Sequence, residues 1–194
     1  GYKYGIRPNE FLVEQSRKFP KVAHILLPGD GEGRNGVWLA EQGYEVTTVD
    51  GSKVAIDKAL ALAKERRVSI KANLSDLTEW VPACESADAV VLIYVHLEPT
   101  LRREVHQRVA AALKPNGLVV LEAFNPNQLK FKSGGPQKLD MLYSTDHLRE
   151  DFDKVLEEEF SCECQIILDE GQGHHGPAFV TRWVGRKRID HTKN

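Results

Sequence analysis

The chain has 194 residues, 41% hydrophobic and 28% charged, with a formal charge of −2. That is the composition of an ordinary folded domain, and it provides no basic field to attract nucleic acid or an anionic membrane. No apolar run reaches the roughly 20 residues that span a bilayer, and no signal-peptide pattern opens the chain. Cys84, Cys162 and Cys164 are odd in number and form no CxxC pair, which argues against a disulfide framework. The expectation is a cytoplasmic protein with a single domain over residues 1–194, acting on a small molecule, as a monomer or weak homodimer.

An amphipathic stretch from Pro8 to Phe19 predicts an N-terminal helical segment within residues 1–20. Val22–Leu27 is a short apolar run stopped by Pro28-Gly29, which reads as a buried strand ending in a turn. A helix over Arg34–Gln42 follows, closed by Gly43, and then a strand over Tyr44–Val49. Ser52 is a helix cap for the apolar positions from Val54 to Ala63, and Val68–Ala72 reads as a third strand. Ala87–Tyr94 is the most apolar strand and belongs at the sheet's centre, covered on both faces. A helix over Pro99–Leu113, a turn at Lys114–Gly117 and a strand over Leu118–Phe124 complete a βαβαβ series. The fold class is therefore α/β, a doubly wound, mostly parallel Rossmann-like sheet. Residues 125–143 read as a loop on the acceptor side, with Gly134-Gly135, and Thr145–Glu158 as a polar helix. Cys162–Leu168 and Ala178–Gly185 form a closing antiparallel hairpin around a Gly- and His-rich loop, Asp169–Pro177.

The turn Gly29-Asp30-Gly31-Glu32-Gly33 joins the first strand to the first helix. Glycines there let the backbone approach a ligand with no Cβ between, and the helix N-terminus offers free N–H donors. Asp50, ending the second strand, is placed to accept hydrogen bonds from ribose hydroxyls. Gly31-Glu32-Gly33-Arg34-Asn35-Gly36 also satisfies the dinucleotide pattern GxGxxG, so an NAD(P)-dependent oxidoreductase stands as an alternative. Two acids in the turn, Asp30 and Glu32, suit a cationic amino group better than a pyrophosphate. The closing hairpin also departs from a dehydrogenase's continuing parallel units.

The order Leu26-Leu27-Pro28-Gly29-Asp30-Gly31-Glu32-Gly33-Arg34-Asn35, then Gly43-Tyr44-Glu45-Val46 and Asp50-Gly51-Ser52, resembles the class I S-adenosylmethionine-dependent methyltransferases. The Gly-Arg-Asn ending and Leu113-Lys114-Pro115-Asn116-Gly117 are most similar to the small tellurite-resistance-like branch. The resemblance extends from Tyr4-Gly5 and Pro8-Asn9 to the last strand. It implies S-adenosylmethionine as cofactor, its methionine part held by the turn (Gly29, Asp30, Gly31, Gly33, Arg34, Asn35). It further implies that Asp50, with Gly51 and Ser52, holds the ribose, that Asn73 and Leu74 flank the adenine, and that Tyr94 and Val95 line the same pocket. Leu27 and Asn73 stand where members of the class often carry acids.

Methyl transfer from a sulfonium is an in-line displacement, so alignment matters most, and a base is needed when the acceptor arrives protonated. His96, directly after the fourth strand, is one candidate, against a histidine merely bonded at a helix entry. Glu170 and His174, in Glu170-Gly171…His174…Gly176, are the others; the resemblance places them on the acceptor side, against a mobile polar hairpin tip. Glu122, near the end of its strand, reads as either a pocket carboxylate or one satisfied at the sheet's edge. Arg102, Arg103 and Arg182 are solvated charges or a lure for an anionic acceptor. No zinc ligand spacing is present, so no metal is expected. A non-catalytic S-adenosylmethionine-binding protein is the further alternative.

Overall fold

The computed structural model describes residues 1–190, and positions 191–194 of the one-domain expectation lie outside the described residues. In chain order the elements are α1 (Glu10–Gln15), β1 (His24–Pro28), α2 (Arg34–Glu41), β2 (Glu45–Asp50), α3 (Lys53–Glu65), β3 (Lys71–Leu74), β4 (Ala87–Ile93), α4 (Pro99–Ala112), β5 (Leu113–Phe124), α5 (Thr145–Phe152), β6 (Leu156–Glu170) and β7 (His174–Lys187). Seven strands form one sheet in the order β3-β2-β1-β4-β5-β7-β6. β1 to β5 are parallel, and β7 runs antiparallel to both β5 and β6.

β4 is the middle strand, and Ala89, Val90, Val91 and Leu92 are buried in the packed layers on both faces of the sheet. Continuous apolar sequence is what a strand covered on both sides requires. The chain winds outward from β1 to β3, then returns to β4 beside β1. The carboxyl ends of β1 and β4 thus border the crevice where strand order reverses, the usual ligand position in such sheets.

Local chemistry sets the helix ends. The Ser52 hydroxyl accepts the Ala55 N–H and caps α3. Gly33 begins α2 at φ 87, and a Cβ there would lie 2.6 Å from the Ala59 Cβ, so glycine lets α2 start hard against α3.

Several boundaries move for tertiary reasons. The third strand starts at Lys71 rather than Val68, because the Val68 N–H turns back to the Ala63 carbonyl, with Arg67 at φ 58, to close α3. The polar helix stops at Phe152, since Leu156 onward pairs with β7, so the acidic run Glu157–Glu159 lies on the outer strand. The hairpin strands are longer than the apolar pattern suggests, and most of Asp169–Pro177 is ladder, with Glu170 directly opposite His174. Within residues 1–20 the helix covers only Glu10–Gln15, followed by a short 3-10 turn over Ser16–Lys18. Residues 125–143 are a loop with two further 3-10 turns.

Candidate functional site

A cavity of about 520 Å³ opens at the carboxyl ends of β1, β4 and β5, within the range of small-ligand sites. Backbone of the glycine turn forms one wall, through Gly29, Asp30 and Gly31, with Arg34 and Asn35 from the start of α2. Tyr94, His96, Phe124 and His174 form the other, and Gly134-Gly135-Pro136 and Met141 of the 125–143 loop border it.

Gly31 is held at φ 60, and a Cβ built on it meets no atom within 4 Å, so its free side faces open space. Gly29, at φ 69, lies against the Val95 side chain, where a Cβ would come within 3.0 Å. Asp50 ties the turn to β2: its two oxygens accept the Gly31 and Ser52 N–H groups, each at 2.9 Å. A carboxylate has about four acceptor positions, which leaves Asp50 free to accept two hydroxyls. Asp50, Gly51 and Ser52 do not themselves line the cavity, nor do Asn73 and Leu74 at the end of β3, opposite Val49 and Asp50.

The two acids of the turn part company. Asp30 is turned inward and accepts the Gly36 N–H at 3.0 Å. Burial is the chief cause that raises its pKa from 3.8 to about 7, against the opposing Gly36 bond and Arg34 charge. Glu32 faces away, bonded to Lys58 at 2.7 Å and to the Lys3 N–H at 2.9 Å. Of the pair thought to suit a cationic group, Asp30 alone is among the residues that line the cavity, with its carboxylate bonded back to the start of α2.

Glu170 and His174 meet as a cross-strand pair. Glu170 Oε2 accepts from Arg34 at 3.0 Å and from His174 Nδ1 at 3.3 Å, while Oε1 accepts from the Asn9 amide at 3.2 Å. Burial pushes the Glu170 pKa up, but the His174 bond and the Arg34 charge outweigh it and hold the carboxylate below its ordinary range. The same Asn9 amide reaches Glu122 Oε1 at 3.2 Å, and the Asn9 N–H donates to Asn35 at 2.9 Å. Glu122 is buried and satisfied, accepting also from Arg182 and the Tyr94 hydroxyl. Tyr94 sits at φ 53, in the left-handed region, and a non-glycine residue held there stores strain of the order of 1 kcal/mol. Burial first, and then the Glu122 charge, push its hydroxyl pKa well above 10.

His96 lines the cavity with both ring nitrogens committed. Nδ1 lies 2.6 Å from the Met141 carbonyl, and Nε2 accepts the Phe124 N–H at 3.1 Å. A carbonyl only accepts, which fixes the proton on Nδ1. Burial drives the pKa from 6.5 down to about 4. His96 in this arrangement is a neutral link between the 125–143 loop and β5, with no nitrogen left to take an acceptor's proton. Arg102 is buried against Asp151 and His106, away from the cavity.

Sequence reasoning did not single out Tyr4 or Lys3, which close the cavity from the N-terminal segment, nor Phe124 and Met141. Tyr4 packs its ring 4.4 Å from that of His174, and Gly173 N–H donates to the Lys3 carbonyl. Tyr4-Gly5 and Pro8-Asn9 carried part of the resemblance, and that was the one available signal.

Residues 25–117 match the family model described as a methyltransferase domain. That segment is a methyltransferase domain of the S-adenosylmethionine-dependent kind. The methyltransferase match sets aside the nicotinamide alternative. Glycine N-methyltransferase of Rattus norvegicus is 27% identical over 142 residues, 65% of this chain and 48% of that protein. The chain spans about half the length of the curated relatives it matches. The fold is shared with a solved S-adenosylmethionine-dependent methyltransferase from Methanosarcina mazei (TM-score 0.75, 16% identity, 95% of this chain and 100% of that one). It is shared also with TehB from Haemophilus influenzae (TM-score 0.72, 19% identity, 92% and 62%). Among the described residues no helix is long and apolar enough to cross a membrane, and no group of three or more His, Cys, Asp or Glu side chains is placed to hold a metal.

Proposed function

We propose that this methyltransferase domain transfers a methyl group from S-adenosylmethionine to a small acceptor carrying a removable proton. The observation that supports it is one cavity with the glycine turn on one wall and the Glu170-oriented His174 on the other. Bound S-adenosylmethionine supplies an electrophilic methyl on a positively charged sulfur. Asp50 accepts the ribose hydroxyls, and the open side of Gly31 admits the methionine part, with Asp30 toward its amino group and Arg34 with Asn35 toward its carboxylate. Asn73 and Leu74 flank the base at the end of β3, beside Gly51 and Ser52, and Tyr94 and Val95 border the sulfur end.

Glu170 keeps the His174 proton on Nδ1, which turns Nε2 toward the acceptor as the proton-taking atom. His96 acts as a positioning residue, holding Met141 and Phe124 at the cavity's rim. Holding acceptor and methyl in line contributes about 7–11 kcal/mol to such reactions, so this site needs little beyond geometry and one base. A hydroxyl, thiol or amine is the acceptor class that uses that base, and a tellurite-like anion or thiol is the specific reading the resemblance suggests. We place the protein in the cytoplasm, acting as a monomer or weak homodimer.

Calorimetry with S-adenosylmethionine, S-adenosylhomocysteine and NAD tests the cofactor assignment: both adenosyl ligands bind and NAD does not, and binding of NAD alone refutes it. An Asp50→Ala variant should bind S-adenosylmethionine at least about tenfold more weakly, since each lost hydrogen bond costs about 1 kcal/mol. Unchanged affinity removes the ribose role. Turnover of labelled cofactor against a panel of hydroxyl, thiol, amine and oxyanion acceptors separates an enzyme from a protein that merely binds the cofactor.

A further inference from the structure

Cys162 and Cys164 stand two residues apart on β6, so their side chains share one face of the strand. Their sulfurs are 3.6 Å apart, and both thiols are free and partly exposed. β6 is the outermost strand of the sheet, so reagents reach the pair from the open edge. Across the ladder Cys162 faces Arg182, the residue that holds Glu122.

We propose that Cys162 and Cys164 form a dithiol site that chelates trivalent arsenicals. Two positions along a strand are separated by about 6.6 Å between Cα atoms, the outer limit of what a disulfide tolerates. Closing an S–S bond here requires the strand to buckle, whereas one bridging atom does not. With sulfur bonds of about 2.3 Å, sulfurs 3.6 Å apart subtend an angle of about 100° at the bridging atom. That suits a pyramidal three-coordinate centre. A linear two-coordinate ion would need the sulfurs about 4.6 Å apart, at the same bond length. Zinc would need two further protein ligands, and among the described residues no cluster of three or more ligating side chains exists. A monosubstituted arsenic(III) brings its own third substituent and needs only the two sulfurs, which are soft ligands of the right kind.

The chemistry balances without an oxidant. One R–As=O and two S–H groups give R–As bridged to both sulfurs, and the arsenic oxygen leaves as water carrying both thiol protons. Burial, followed by the Cys164 hydrogen bond, pushes the Cys162 thiol up to about 11, consistent with protonated reactants at neutral pH.

The test is titration of the whole chain with phenylarsine oxide, followed by thiol counting and intact mass. One arsenic per chain should consume two of the three cysteine thiols, and the adduct should resist excess monothiol but yield to a dithiol. Cys84→Ser should bind as the parent does, while Cys162→Ser and Cys164→Ser should each lose about 10²–10⁴-fold in affinity, the usual gain from a second tethered contact. Thermal unfolding of each variant checks its fold. Proteolysis of the parent adduct provides a readout free of mutation: the arsenic should bridge both cysteines of one peptide. Loss of a single thiol per arsenic, or undiminished binding in Cys162→Ser or Cys164→Ser, overturns the proposal.

Discussion

Replacing Asp30 by Asn removes the inward-facing acid of the glycine turn while keeping an oxygen for the Gly36 N–H. In the parent, burial first, opposed by the Gly36 bond and the Arg34 charge, leaves the Asp30 pKa raised from 3.8 to about 7. A raised carboxyl pKa means that the folded state prefers the proton. The associated stability is fully present below pH 3.8 and is lost as pH rises through about 7. At about 1.4 kcal/mol per tenfold change in proton affinity, the full loss reaches about 4 kcal/mol, of which about 2–3 kcal/mol falls between pH 5 and pH 8. Urea unfolding at these two pH values should show the parent losing that amount relative to Asp30→Asn. Ligand binding offers an independent reading. A cation seated beside Asp30 lowers its pKa, so at pH 7 the parent should release up to about half a proton on binding S-adenosylmethionine. Calorimetry in buffers of different ionisation enthalpy measures that release, and Asp30→Asn should lack it. Parallel stability curves together with equal proton release would refute the reasoning.

His96, with its pKa depressed from 6.5 to about 4 by burial, contributes stability that is present above pH 6.5 and is lost as pH falls through 4. His96→Ala should flatten that acid limb and cost about 2 kcal/mol at pH 7 by stranding the Met141 carbonyl and Phe124 N–H, as read by urea unfolding across pH. Glu170→Gln leaves the buried Arg34 guanidinium without its carboxylate, and should lower stability by about 3 kcal/mol in a melt at pH 7. Since the Glu170 pKa is lowered, its contribution is present at neutral pH and fades as pH falls, so the parent and Glu170→Gln should converge in acid. Gly31→Ala puts a Cβ into the open side of the turn at φ 60. It should cost about 1–2 kcal/mol in folding while weakening S-adenosylmethionine binding at least tenfold by calorimetry; unchanged affinity would show that the cofactor does not approach this backbone.

Those features that depend on near neighbours were legible in the sequence. Pro28-Gly29 stopping β1, Ser52 capping α3 and the unbroken apolar run of β4 express turn geometry, a local hydrogen bond and two-sided burial. They sufficed to place the glycine turn and Asp50 at the carboxyl edge of a doubly wound sheet. Where neighbours misled, as at Glu157–Glu159, pairing with a strand distant along the chain outweighed helical preference.

The side proposed for the acceptor belongs to tertiary structure. Nothing local says that Glu170 faces His174, because β-pairing register depends on the whole hairpin and a one-residue slip would reverse each side chain's face. Nor does it say that Asn9 reaches Glu122 and Glu170, or that Tyr4 closes over His174, since these contacts join segments more than 100 residues apart. His96 shows the difference most plainly. Its position after β4 marked it as a candidate base, but whether its nitrogens face a ligand or two backbone groups depended on where the 125–143 loop came to rest.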